Sequence, residues 1–316
     1  MSEAVFTFET FVTIFLTLAI ICLNCLILMV ACWTESFRNV NKCFLYSLIL
    51  SDLFLGLFVT PFAIFNSLYK EWVFQNDIFC CIEAYLVAIF LIAGLYSMAW
   101  INVDHYVAVR KPERYDIMMS TPRSLCWIGF AWVAAFCFSC PPLFSLKKAK
   151  YYAEAFVCIV DAKNQQAYFI TAGLLVTGPA VITLIVTNAY LFTKAFKGNI
   201  HLYERVFRDR KTRPWNYHIN FVISLVYSFC WLPFCILRLY EVSTNYAGLS
   251  PGLLHFYFLW LGFSNAFLKF FIYLVMSQEF RQGINEIFYA HSLDCACVGC
   301  KTTNDMNVNF ITIAEK

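Results

Sequence analysis

Residues 78–109 read IFCCIEAYLVAIFLIAGLYSMAWINVDHYVAV, an apolar run whose only fixed charges are Glu83 and Asp104. A helix over this stretch crosses the roughly 30 Å of hydrocarbon in a bilayer with turns to spare, at about 1.5 Å per residue. Such runs recur. Apolar segments fall at 10–33, 43–68, 78–109, 124–145, 165–196, 214–241 and 252–276. Hydrophobic residues make up 61% of the 316 and charged residues 14%, against about 25% charged in soluble domains. A water-soluble fold of this length has no interior large enough for that apolar surface. Backbone polar groups find no water partner in lipid, so each segment is expected to be a helix. The period-2 alternation of a β-barrel is absent. The expected fold is therefore an all-α membrane protein with seven spans.

Lysine and arginine in the connections set the expected orientation. Sixteen of the 23 basic residues fall on one side: in the connections after spans 1, 3 and 5 and in the segment after span 7. The other side holds Lys70, Lys147, Lys148, Lys150 and Lys163, and Arg238 and Lys269 lie within spans. This places the N-terminus outside and the C-terminal tail in the cytoplasm of a multi-pass plasma-membrane protein. No leader with a basic n-region is evident, so span 1 is expected to direct insertion. The net charge of +3 is explained by topology and does not point to nucleic acid.

Most of the 15 cysteines lie in apolar spans, as small packing residues. Cys80 or Cys81 and Cys158 face the oxidising side and are candidates for one disulfide. Cys295, Cys297 and Cys300 follow span 7 on the cytoplasmic side, where juxtamembrane cysteines suggest palmitoylation. Three thiols without a fourth ligand make a poor zinc site, and no metal is expected. Ionisable groups within spans are rare and functional as a rule, which singles out Asp52. Pro179 and Pro233 remove helix hydrogen bonds and give kinks, and Trp231 lies beside the second of these.

An ordered set of residues resembles the rhodopsin-like G-protein-coupled receptors over nearly the whole chain. It comprises Asn24, Asp52 within Leu48-Ile49-Leu50-Ser51-Asp52-Leu53, and Cys80 placed 24 residues before Asp104. It continues through Trp132 with Pro141-Pro142, Pro179, Cys230-Trp231-Leu232-Pro233, and Tyr273 followed by Phe280-Arg281. Segments 2, 5 and 6 look most like the amine receptors and their orphan relatives. The resemblance implies a seven-transmembrane domain over 1–290 with a short cytoplasmic helix 8, and a cytoplasmic tail over 291–316. It implies a Cys80–Cys158 disulfide and no enzymatic activity. Coupling to a heterotrimeric G protein, and engagement of arrestin, are implied with it.

Several positions depart from the family pattern. Asp104-His105-Tyr106 stands where the family has Asp-Arg-Tyr, the G-protein-facing motif. Histidine lacks the arginine fork and is only partly charged at neutral pH. Lys269-Phe270-Phe271-Ile272-Tyr273 replaces Asn-Pro-x-x-Tyr, so the kinking proline is gone. The family asparagine neighbours the aspartate of span 2, so Lys269 is expected to pair with Asp52 and to replace the family's sodium ion. Gly94 and Ala266 stand where relatives often have hydroxyl ligands. An intramembrane polar core of Asn24, Asp52, Asn265, Lys269 and Tyr273 is implied. Thr187 and Tyr227 replace further residues of the family's switch, and Val87 stands where amine receptors have their ammonium-binding aspartate.

By family position the ligand pocket comprises Val87, Leu91, Thr171, Trp231, Phe234, Arg238, Trp260 and Phe263. It is mostly apolar and suits a small-molecule or lipid-like ligand. Arg238 either reads an anionic group or pairs with Glu241 or Glu83. The second outer loop, with Tyr151, Tyr152 and Phe156, is expected to fold over the pocket and to make self-occlusion feasible. No cofactor is expected, and neither a metalloprotease nor a nucleophile-elbow motif occurs. The leading expectation is a receptor signalling to a G protein from an unknown ligand or from basal self-activation. The alternative is a receptor-fold protein that does not couple and acts as a scavenger, arrestin-biased receptor or heterodimer partner.

Overall fold

Helix α1 runs from Glu3 to Trp33 and begins earlier than its apolar segment suggests, because Glu9 lies within the helix and is itself buried. Helix α2 comprises Lys42–Phe58 and Thr60–Tyr69, broken at Val59. Pro61 has no N–H to donate and its ring crowds the carbonyl four residues back, which accounts for the break. Helix α3, Asp77–Arg110, starts at Asn76, whose side chain accepts from the Ile78 amide at 2.9 Å; this satisfies one of the orphan donors of the first turn. Helix α4 is Thr121–Ser139, with Pro122 in its first turn. Helix α5 is Gln166–Ala172, a π-helical turn Gly173–Thr177, and Gly178–Phe196. The widened turn lies directly before Pro179, and Tyr96 of α3 donates to the carbonyl of Val176 there at 2.8 Å. Helices α6, Tyr217–Ser243, and α7, Gly252–Met276, follow, and residues 278–287 form a further helix, α8.

This computed structural model describes residues 3–33, 42–69, 71–74, 76–140, 149–161, 166–196, 217–243 and 252–287. Pro141, Pro142, Cys295, Cys297 and Cys300 lie outside them, as do most of the basic residues of the connection after α5. Among the described residues six helices are long and apolar enough to cross a membrane. The seventh, α4, has 19 residues and a length of about 28 Å.

The helices close into a ring: α1 packs on α2 and α7, α6 packs on α7, and α3 is central, touching α2, α4, α5 and α6. Close approach is needed between α1 and α2, where a Cβ on Gly56 would lie 2.8 Å from Ile20. Large apolar residues such as Val275, Leu174 and Phe229 are exposed, at 75%, 71% and 70%. In water those surfaces would drive aggregation; here they form the lipid-facing band. At the other extreme, α8 buries Phe280 and Gly283 on one side and exposes Gln282, Asn285 and Glu286 on the other. This is the amphipathic pattern of a helix lying on the bundle's end, where the short helix 8 is expected.

One element is not foreshadowed by the sequence, which shows no strand-like alternation. Ala149–Tyr152 (β1) pairs antiparallel with Val157–Val160 (β2), with Tyr151 opposite Cys158. Phe156, at φ 59°, makes the turn in a left-handed conformation uncommon for residues with a side chain. Cys80 of α3 is disulfide-bonded to Cys158 of β2, so the hairpin is tied to the bundle.

Candidate functional site

At the hairpin end, the interior of the bundle is filled by aromatic rings and by the chain's own hairpin. Val87, Trp260 and Phe263 are buried in one cluster with Ala155, Phe156 and Val157, and Leu91, Trp231 and Phe234 pack against it. Phe156 meets the edge of Phe256 at 5.9 Å and of Phe6 at 5.6 Å. Two polar contacts fix its backbone: the Trp260 indole donates to the Ala155 carbonyl at 3.1 Å, and Asn66 Nδ2 to the Phe156 carbonyl at 3.1 Å. Trp231 contacts Phe234 at 6.0 Å and Phe263 at 6.1 Å. A Cβ at Gly262 would lie 2.7 Å from the Trp231 ring, so glycine there lets the indole lie against α7.

Seven of the eight expected pocket residues therefore lie in or beside this region. Thr171 does not: it is exposed, and its hydroxyl donates back to the Ala167 carbonyl at 2.7 Å. Arg238 lies at the rim with every contact directed into the protein. It donates to Glu241 at 2.6 Å, to the Tyr152 hydroxyl at 3.1 Å and to the Val160 carbonyl at 2.5 Å, and its plane lies 4.9 Å from the Phe169 ring. Glu241 also contacts His255 of α7. Burial pushes the Tyr152 phenol upward against the pull of Arg238, so Tyr152 stays a neutral hydrogen-bonding group. This cluster clasps the hairpin to α5, α6 and α7.

Midway through the bundle, Lys269 of α7 donates to Asp52 of α2, with 1% and 11% of the two side chains exposed. Asn265 is buried one turn away on α7. Asn24 Nδ2 reaches both the Ile20 carbonyl at 2.8 Å and the Ala266 carbonyl at 2.9 Å, stitching α1 to α7. Gly94 leaves the space beside Ser51, where a Cβ would lie 3.2 Å from its hydroxyl. An unpaired ammonium here would be strongly unfavourable, and the carboxylate makes it tolerable. The charge of Asp52 is thus met by a side chain.

At the α8 end, His105 does not extend toward solvent. It is 6% exposed, with Nδ1 2.7 Å from the Ile101 carbonyl and Nε2 2.8 Å from Asn220 Nδ2 of α6. The carbonyl needs a donor, so the proton belongs on Nδ1, and Nε2 accepts from the asparagine. Asp104 accepts from the Tyr115 hydroxyl at 2.9 Å, which ties the turn after α3 to the helix. Tyr106 receives Arg110 and meets the ring of Tyr190 at 4.8 Å. Deeper by one turn, the Ser224 hydroxyl accepts from Asn102 Nδ2 at 2.6 Å and from Asn188 Nδ2 at 2.7 Å. Asn102, Asn188, Asn220 and Ser224 were not singled out from sequence; polar residues buried on apolar helices were the available signal. A cavity of about one water molecule, lined by Asp104, His105, Asn220 and Tyr273 among others, lies beside this latch.

Thr187, in the tyrosine position of α5, bonds back to Thr183 at 2.6 Å. Tyr227 is buried 6.5 Å from Trp231. Nothing in these three regions assembles a nucleophile with a base, and no group of three or more potential metal ligands occurs among the described residues.

Comparison with known proteins agrees with this geometry. The profile of the family described as 7 transmembrane receptor (rhodopsin family) matches residues 23–273. The chain is similar to probable G-protein coupled receptor 21 of Mus musculus, 24% identical over 310 residues, covering 94% of this chain and 87% of that protein. It is 25% identical over 314 residues to G-protein coupled receptor 52 of Bos taurus, covering 94% and 85%. It is 26% identical over 297 residues to 5-hydroxytryptamine receptor 6 of Mus musculus, covering 83% of this chain and 66% of that one. Receptors of this family are not enzymes. The chain is a multi-pass membrane protein and belongs to the rhodopsin family of seven-transmembrane receptors.

Proposed function

We propose that this receptor couples to a heterotrimeric G protein from a ligand site occupied by its own hairpin, and that a neutral latch between α3 and α6 holds coupling low. The observation that carries the reading is the seating of Ala155, Phe156 and Val157 in the aromatic cluster that Trp231 adjoins. A group pressing there acts beside Pro233, where α6 lacks a backbone hydrogen bond and bends most easily. At the far end of the same helix, Asn220 holds His105. Motion of α6 therefore changes both contacts together.

On this reading the hairpin end is extracellular, which suits its disulfide and the excess of basic residues at the other end. Residues 1–290 form the receptor domain, and 291–316 are the cytoplasmic tail, palmitoylated at Cys295, Cys297 and Cys300. A ligand entering from outside displaces the hairpin and meets an apolar, aromatic surface, so it is a small, lipid-like molecule. Arg238 does not recognise its charge, because Glu241 and the hairpin hold the guanidinium. Lys269 fills the place of sodium, and no cofactor is needed.

His105 supports a second reading: a receptor that binds without coupling and acts through arrestin or as a heterodimer partner. A cell-based G-protein activation panel on wild type and His105→Arg separates the two. Activation by the wild type is expected. Silence in the wild type with activity restored by arginine overturns the first reading in favour of the second.

A further inference from the structure

Every ionisable side chain that is buried with an unpartnered atom among the described residues lies at the hairpin end: Glu9, Glu83 and His255. Glu83, on α3 one turn from Val87, is 2% exposed; Oε2 accepts from the Cys158 amide of β2 at 3.1 Å and Oε1 has no partner. Glu9, on α1, is 0% exposed, and neither carboxylate oxygen has a partner. We propose that Glu9 and Glu83 make the receptor a sensor of extracellular protons, which seat the β1–β2 hairpin in the bundle. The proposal rests on the outward orientation of the hairpin end.

Both carboxyls face the hairpin. Cys158 lies directly on Glu83, and Phe6, one turn before Glu9, packs on Phe156. Arg238 does not pair with Glu83, since it binds Glu241, Tyr152 and Val160. Among the described residues, the other titratable groups packed around Glu83 are Tyr151 on β1, Tyr168 on α5 and Cys81 on α3 itself. Burial pushes the Tyr151 phenol far up, so it brings no charge of its own. Glu9 faces the exposed carboxylate of Glu154 on the hairpin turn. From α2 the neighbouring contact is neutral, Thr10 to the Ser67 carbonyl at 3.3 Å. His255 of α7 contacts Glu241 through Nε2 and stacks on Tyr152 at 5.0 Å.

Around these two carboxyls, burial without a counter-charge disfavours the ionised form. With the hairpin seated, ionisation of each carboxyl is disfavoured; with it lifted, water reaches the group and it ionises above about pH 4–5. The seated state binds more protons, so it is complete at acid pH and is lost as pH rises. Each carboxyl contributes up to about tenfold in the seated-to-lifted ratio per pH unit, until it ionises in the seated state too.

The test is labelling of Ala155→Cys in intact cells by a membrane-impermeant methanethiosulfonate reagent, in media buffered from about pH 6 to about pH 8.5. Ala155 is 1% exposed, so labelling reads lifting. The same cysteine in a Glu9→Gln/Glu83→Gln background corrects for thiol ionisation. The expected result is a labelling ratio between the two backgrounds that changes several-fold per pH unit. Glu83→Asp, which still titrates, is expected to keep that dependence, and His255→Gln is expected to keep it as well. Parallel pH profiles in the glutamate and glutamine backgrounds overturn the inference, as does loss of the response in His255→Gln alone. Labelling that needs permeabilised cells overturns the orientation on which both proposals rest, an outcome distinct from parallel profiles.

Discussion

Neutralising Asp52 tests the buried pair most severely. Asp52→Asn leaves the ammonium of Lys269, 1% exposed, without its carboxylate in the middle of the bundle. Removing one partner of a buried ion pair costs about 3–5 kcal/mol, whereas replacing both by uncharged groups of similar volume is often near neutral. Lys269→Met alone leaves a buried carboxylate and is expected to cost a similar amount. The double variant Asp52→Asn/Lys269→Met is expected to fall within about 1–2 kcal/mol of wild type, giving a coupling of several kcal/mol between the sites. The assay is loss of the monodisperse receptor in lipid nanodiscs after heating, read by size exclusion. The single variants are expected to melt on the order of 10 °C below wild type and the double variant close to it. Sodium adds a second arm: wild type is expected to be insensitive to it, and Lys269→Met is expected to regain stability in sodium because Asp52 is then without its ammonium. Additive losses in the double variant would refute the reasoning.

Three further outcomes follow from the same contacts. Gly262→Ala drives a methyl to 2.7 Å from the Trp231 ring; it is expected to cost about 1–3 kcal/mol of thermal stability, against no change if α7 yields freely. Arg238→Ala removes the clasp that reaches Glu241, Tyr152 and Val160, and should expose the hairpin to protease several-fold faster than wild type. Tyr115→Phe deletes the hydroxyl that holds Asp104; a loss of about 1 kcal/mol is expected to loosen the turn after α3 and to accelerate hydrogen exchange there.

The seven spans were legible because lipid leaves the backbone one solution, and length with composition reports it. The Asp52–Lys269 contact was legible for a related reason: two intramembrane charges of opposite sign must meet somewhere, and family position said where. The disulfide to Cys80 was legible by position as well. The hairpin was not. Tyr151, Tyr152 and Val157–Val160 carry strand-favouring side chains, yet four-residue strands take their identity from burial against Trp260 and Asn66, which lie far away in sequence. Thr171 is exposed, two residues before a π-helical turn in α5 that the sequence does not announce. Glu9 fell outside the apolar segment whose edge it defines. The latch through Asn220 and Ser224 escaped because hydrogen bonds between helices leave no periodic trace in either one.

The bond between His105 and Asn220, at 2.8 Å, is the contact on which control of coupling turns. Asn220→Ala removes one buried neutral hydrogen bond, about 1 kcal/mol, and so shifts the α3–α6 equilibrium about fivefold toward the open form. The measurement is basal G-protein activation of Asn220→Ala against wild type at equal surface expression. A latch of this kind predicts a rise of about that size; basal activation that stays at the wild-type level or falls contradicts it.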